Sequence, residues 1–115
     1  MGWFGEDSPQ ANASQQYQDA DPNNQASFTH ELIAGAASYE AAKAYENHCA
    51  ANGDPGSHDE AKEIAAGFAG AFVDREAETR GMDWIDRERA KRMASDQCNQ
   101  AIDQSGQFDQ QNQGY

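Results

Sequence analysis

Basic residues are scarce in this chain. Eight Lys and Arg stand against twenty Asp and Glu among 115 residues, a formal charge of −12. A nucleic-acid binder needs a basic face to displace the counterions of phosphates, so that class is excluded. An anionic membrane surface is an equally poor partner. Long apolar runs are missing too: no 18 consecutive apolar residues occur, and no membrane span is expected. The first residues lack the basic and apolar regions of a secretory signal, and Gly2 is no myristoylation site because Glu6 stands where Ser or Thr is required. A cytoplasmic location is the resulting expectation. Cysteine is down to two residues and proline to three, too few for a disulfide framework. With a mass of 12.6 kDa, one small core is the ceiling.

Composition divides the chain into three parts. Residues 1–26 hold eight Asn or Gln, two of the three prolines, four acids and no base. After Met1-Gly2-Trp3-Phe4 no periodic apolar pattern follows, so this stretch reads as a disordered polar tail. Residues 105–115, Gln-rich and flanked by Gly106 and Gly114, read the same way. Between them, residues 27–104 predict an all-α fold, a small antiparallel three-helix bundle with helices over about 29–51, 58–80 and 84–104. Hydroxyls at Ser27 and Thr29 start the first helix, and Asn52-Gly53-Asp54-Pro55-Gly56 ends it. Ser57-His58-Asp59-Glu60 has the form of a capping box for the second helix, Gly81 stops it, and Asp83 is placed to cap a third from Trp84. The short connections make neighbouring helices antiparallel.

Small residues dominate the packing faces. Gly35, Ala36, Ala37, Ser38, Ala41, Ala42 and Ala44 crowd the first helix, and Ala65, Ala66, Gly67, Ala69, Gly70 and Ala71 the second. Glycine costs about 1 kcal/mol in a helix interior, and close approach of backbones is the expected compensation. The first helix carries more small apolar positions than one neighbour needs. Gly35, Ala37, Ser38, Glu40, Gly67 and Gly70 are therefore the candidate packing or interaction face, through which a protein partner or a second copy would dock.

Three blocks carry a family likeness. Residues 29–46, from Thr29-His30-Glu31-Leu32-Ile33-Ala34 to Ala44-Tyr45-Glu46, form the first. The others are Ala69-Gly70-Ala71-Phe72-Val73-Asp74-Arg75-Glu76 and the run from Gly81-Met82-Asp83-Trp84 to Lys91. In these, and in the opening Met1-Gly2-Trp3-Phe4, the chain resembles the fungal CipC-like antibiotic response proteins. The resemblance implies a small intracellular fungal protein whose abundance responds to antibiotic or other stress. It implies no reaction and carries over no catalytic residue.

Each group of residues that could carry chemistry also has a plainer role. His30, His48 and His58 sit at helix ends, and their spacing with Cys49, Asp54 and Asp59 matches no zinc pattern. Cys49 falls about 30 Å along the first helix and Cys98 about 21 Å along the third, so two free thiols are expected. Six of the eight basic residues lie between positions 75 and 92, and Arg75, Arg87 and Arg92 would be the core of an anionic-ligand cluster. The same window holds six acids, and ladders such as Asp83–Arg87 and Glu88–Arg92 are the plainer account. A pairing of Glu40 with Arg92 is also expected. No catalytic constellation, metal site or cofactor motif is visible. The leading expectation is a non-enzymatic stress- or antibiotic-response protein acting through protein–protein contact or self-association. The alternative is a binder of a small anionic ligand, or an enzyme, at the Arg/Glu-rich junction of the second and third helices.

Overall fold

The structure, a computed structural model, describes residues 8–20, 29–53, 56–82 and 85–105. It is all-helical, with four helices: α1 (Pro9–Asp19), α2 (His30–Asn52), α3 (His58–Thr79) and α4 (Arg87–Ser105). The three-helix expectation is thus corrected, because residues 9–19 of the supposed N-terminal tail are α1. Expectations for 1–7, 21–26 and 106–115 and for Asp83 and Trp84 fall outside the described residues.

The start of α1 follows from two adjacent residues. Ser8 Oγ accepts from the Ala11 amide at 3.0 Å, and Pro9 begins the helix where its missing N–H costs nothing. Its sequence is poor in apolar residues, yet Tyr17 is 2% exposed and Ser14 is buried. One aromatic side chain supplies the burial that periodicity failed to reveal.

The other helices have well-defined ends. Thr29 Oγ1 accepts from Leu32 N at 3.0 Å to cap α2, which closes on Gly53 at φ 86°. Ser57 Oγ accepts from Glu60 N, while the Glu60 carboxylate reaches back to the Gly56 amide, one residue earlier than a capping box requires. Helix α3 ends in a Schellman arrangement: Met82 N donates to Ala77 O at 2.9 Å and Gly81 N to Glu78 O, with Gly81 at φ 65° and Met82 buried. Asp86 caps α4 through Oδ1 on Arg89 N at 3.1 Å. That helix therefore begins at Arg87, three residues after the expected start at Trp84.

Helix α2 is central and packs against the other three. Every fourth residue of α3 is buried (Ala61, Ala65, Ala69, Val73, Ala77), as is every fourth residue of α4 (Ala90, Ala94, Cys98, Ile102). Rows of small side chains at this spacing form shallow ridges that let helix backbones approach. Apart from Ala77, both rows belong to one buried cluster with Ile33, Ala34, Ala36, Ala37, Ala41 and Tyr45 of α2, and the Ser38 carbonyl accepts from the Cys98 thiol at 3.9 Å. Charge pairs run in opposite directions along α3 and α4: Lys62 with Asp103, Asp74 with Lys91, and Glu78 with Arg87.

Candidate functional site

The face of α2 expected to await a partner is already covered. A Cβ on Gly35 would stand 2.6 Å from the Ala13 Cβ of α1, so this glycine exists to let α1 cross. Gly35, Ala37 and Ser38 are all buried. The Ser38 hydroxyl lies 2.9 Å from the Gly35 carbonyl and 3.1 Å from Gln97 Oε1, and Gln10 of α1 also donates to Gln97. The surplus of small positions is thus consumed inside the chain by α1. Gly67 is exposed, with nothing within 4 Å of where a Cβ would stand, and Gly70 meets only the methylenes of Lys91 at 3.8 Å and beyond.

The three arginines do not converge. Arg87 pairs with Glu78 at 3.4 Å and Asp74 at 3.6 Å on the outer surface of α3 and α4. Arg75 stacks over the Phe72 ring, 5.3 Å from its centroid, and reaches Glu76 at 3.5 Å. Arg92 is exposed on α4. The Glu40–Arg92 pairing is corrected as well. The Ser38–Gln97 bond sets Arg92 level with Ile33, about 10 Å along the axis from Glu40. Glu40 instead accepts from Ser14 Oγ at 3.3 Å and pairs with Lys43 at 3.7 Å.

Two features of α1, α2 and α3 adjoin one another where the sequence pointed to neither. The first is a polar knot at the base of α1. Glu76 Oε1 accepts from Tyr17 Oη at 2.9 Å and from Arg80 Nε at 2.9 Å, and the Arg80 guanidinium lies over the Tyr17 ring at 4.7 Å. Burial alone would raise the Glu76 pKa, but the hydrogen bonds from Arg80 and Tyr17 outweigh it and hold the carboxyl below its usual range. Burial, then the bond to Glu76, drives the Tyr17 pKa well above the ordinary phenol value. The carboxylate is ionised with both oxygens engaged, and the phenol keeps its proton. Neither is poised as base or nucleophile; the knot fastens α1 to α3.

The second feature is a groove of about 270 Å³ between α2 and α3. Phe68, Ala71 and Phe72 form its α3 side, Ala44 and Asn47 part of its α2 side, and Glu40, Lys43 and Arg75 its charged margins. Phe68 and Phe72 lie off the buried row of α3 and stay partly exposed, while Ala71 is open to solvent. The His48 ring meets Phe68 edge-on at 6.1 Å, and Tyr17 meets Phe72 at 5.9 Å. The signal that could have found this groove is the Phe68/Phe72 pair at i, i+4, one position behind Ala69 and Val73.

The remaining candidates are placed apart. His30 Nε2 accepts from the Asp86 amide at 3.0 Å, tying the start of α2 to the cap of α4. Among the described residues no three His, Cys, Asp or Glu stand together as a metal-binding group. Cys49 and Cys98 form no disulfide among the described residues, and burial pushes the Cys98 thiol up to about 12. No helix is long and apolar enough to cross a membrane among the described residues. A family described as Virulence factor CipC-like matches residues 13–105, from within α1 to the end of α4. Neither a curated protein nor a solved structure matches the chain.

Proposed function

The chain belongs to the CipC-like virulence factor family, and from that premise we propose a non-enzymatic, cytoplasmic stress- or antibiotic-response protein that acts by contact with another protein. The observation that supports this reading is the α2–α3 groove. It sets two aromatic rings and an exposed alanine side by side at the surface, between cationic margins at Lys43 and Arg75. An apolar strip with a charged rim, between two helices, is the kind of surface that receives a peptide or a helix. The α2 small-residue face is not part of this reading, since α1 covers it.

A photo-crosslinking residue at Ala71 tests the contact in the full chain, expressed in the source cells under antibiotic challenge. A discrete adduct at Ala71, absent when the probe stands at exposed Glu63 on another face of α3 and lost with Lys43→Glu, is expected. Equal labelling at both positions, or none at either, would overturn the reading. Abundance of the protein before and after challenge tests the stress response separately, and an unchanged level would remove it.

A further inference from the structure

We propose that the α2–α3 groove receives an acidic amphipathic helix of a partner protein. Its apolar side chains lie against Phe68, Ala71 and Phe72, and its carboxylates meet Lys43 and Arg75. This occupant rests on the reading of the groove as a contact surface, and gives the partner its chemistry.

The sign of the charge follows from how the cations are held. Lys62, Arg80 and Lys91 are under one-third exposed and pair with acids at 3.0, 2.9 and 2.8 Å. Lys43 and Arg75 differ. Their acid contacts are longer, 3.7 Å to Glu40 and 3.5 Å to Glu76. Each also lies over a ring, Lys43 over Tyr39 at 5.6 Å and Arg75 over Phe72 at 5.3 Å. A ring attracts the charge without occupying its N–H donors. The two acids are engaged elsewhere as well: Ser14 donates to Glu40, and Tyr17 and Arg80 donate to Glu76. They also sit back, 29% and 16% exposed against 59% and 64% for the cations. Each pair thus presents its positive end outward, and a molecule entering the groove meets Lys43 and Arg75 first. Asp74, next to Arg75, pairs with Lys91 of α4 instead. Charges beyond about 8 Å are screened at physiological salt, so these near groups set the sign despite the formal −12 of the chain.

The apolar floor selects a helix. Phe68 and Phe72 stand one turn apart on α3, about 6 Å along the axis, which is the interval between successive anchors on one helix face. Ala44 and Ala71 add little bulk, and the groove runs about 10 Å from Glu40 to Asn47, close to two helical turns. A volume of about 270 Å³ suits a few side chains from such a helix. A second copy of the chain is a poorer fit. A stable dimer buries about 800 Å² on each side, far more than a groove lined by eight residues presents, whereas a helix bound transiently needs less.

The experiment titrates the full chain into three fluorescent peptides of equal length and follows their anisotropy. The first carries Leu and Phe on one helical face and Glu elsewhere. The second has Lys for each Glu, and the third keeps Glu but has Ser for Leu and Phe. The first is expected to bind at least about tenfold more tightly than either of the others. Amide shifts of the labelled chain should centre on residues 43–47 and 68–75. Lys43→Glu combined with Arg75→Glu should reverse the order of the first two peptides. Equal binding of those two by the parent chain, a preference for the second, or no binding of any peptide would overturn the proposal. Shifts centred elsewhere, or a preference that the double variant leaves unchanged, would do the same. Shifts of the groove amides with rising chain concentration alone, together with a doubled mass, would overturn it in favour of a second copy. Should the double variant lose helix content, Lys43→Gln with Arg75→Gln decides: a lost preference supports the acidic helix, and its persistence refutes it. An adduct at Ala71 in cells without peptide selectivity removes only the acidic helix; absence of both removes the contact surface as well.

Discussion

The seat of α1 and the core formed by α2, α3 and α4 hold helices together by opposite means. On α3 and α4 the core contains little bulk, its larger side chains being Ile33 and Tyr45 of α2. Its buried rows are alanines with one valine, one cysteine and one isoleucine, and its cohesion comes from backbones brought close enough for many weak contacts. The seat of α1 relies on a single large side chain, Tyr17, with Glu76, Arg80, Glu40 and Gln97 satisfying the polar atoms around it. A contact spread over many residues fails as a whole; one concentrated in a single anchor can fail alone. Helix α1 is accordingly the detachable part of the fold.

Substitutions can break that contrast or sharpen it. The largest effect is expected from Tyr17→Ala. Aromatic-to-alanine changes at buried sites cost about 3–5 kcal/mol, and here the loss falls on α1 docking. Hydrogen exchange should show the amides of α1 unprotected while those of α2 to α4 stay protected; uniform loss of protection would erase the distinction between the two regions. Ala69→Leu comes next, at about 1–3 kcal/mol for overpacking a filled interior. Because Ala69 is fully buried in the shared core, the urea midpoint for the whole domain should fall, with α1 leaving in the same transition.

Alkaline pH probes both regions in one titration. The folded-state pKa values of Cys98 and Tyr17 are raised above their ordinary values, so their contribution is complete below those values and is lost as pH rises. For Cys98 the decline starts near pH 9.0 and continues to about 12, at up to about 1.4 kcal/mol per pH unit. Tyr17 adds its own loss above pH 10.0. Urea midpoints between pH 8 and 11 should fall more steeply in the parent chain than in Cys98→Ala; parallel slopes would contradict the burial of this thiol. The smallest effect is expected for Arg87→Gln, about 0–1 kcal/mol, because its pairs with Glu78 and Asp74 are partly exposed.

The contrast also explains what the sequence made legible. Helices α2 and α3 were readable because Thr29, Ser57, Gly53 and Gly81 mark their ends by local chemistry, and those residues do cap or terminate them. Helix α1 was missed because binary pattern reading weighs apolar repetition, and Pro9–Asp19 carries one large apolar side chain among amides. Its local signal, Ser8-Pro9, was present in the sequence. The meaning of Gly35 depended on that omission: without α1, a buried glycine looks like an invitation to a partner. The Tyr17–Glu76–Arg80 knot was not accessible, since it joins positions from different helices whose relative rotation no local pattern fixes, and of the groove only the Phe68/Phe72 pair on α3 was legible.

The alternating charges between α3 and α4 acquire a further meaning from the rows they flank. A row with alanine at nearly every fourth place is close to periodic, so sliding one helix past the other by a turn brings alanine against alanine again. Such a surface has little address of its own. Lys62–Asp103, Asp74–Lys91 and Glu78–Arg87 supply one, for a slip of four residues in one direction would set Lys62 beside Asn99, and in the other would set Asp74 beside Ser95. These pairs are close to neutral as a source of stability, and their work is to keep the helices in phase, as marks on a ruler do for two identical scales.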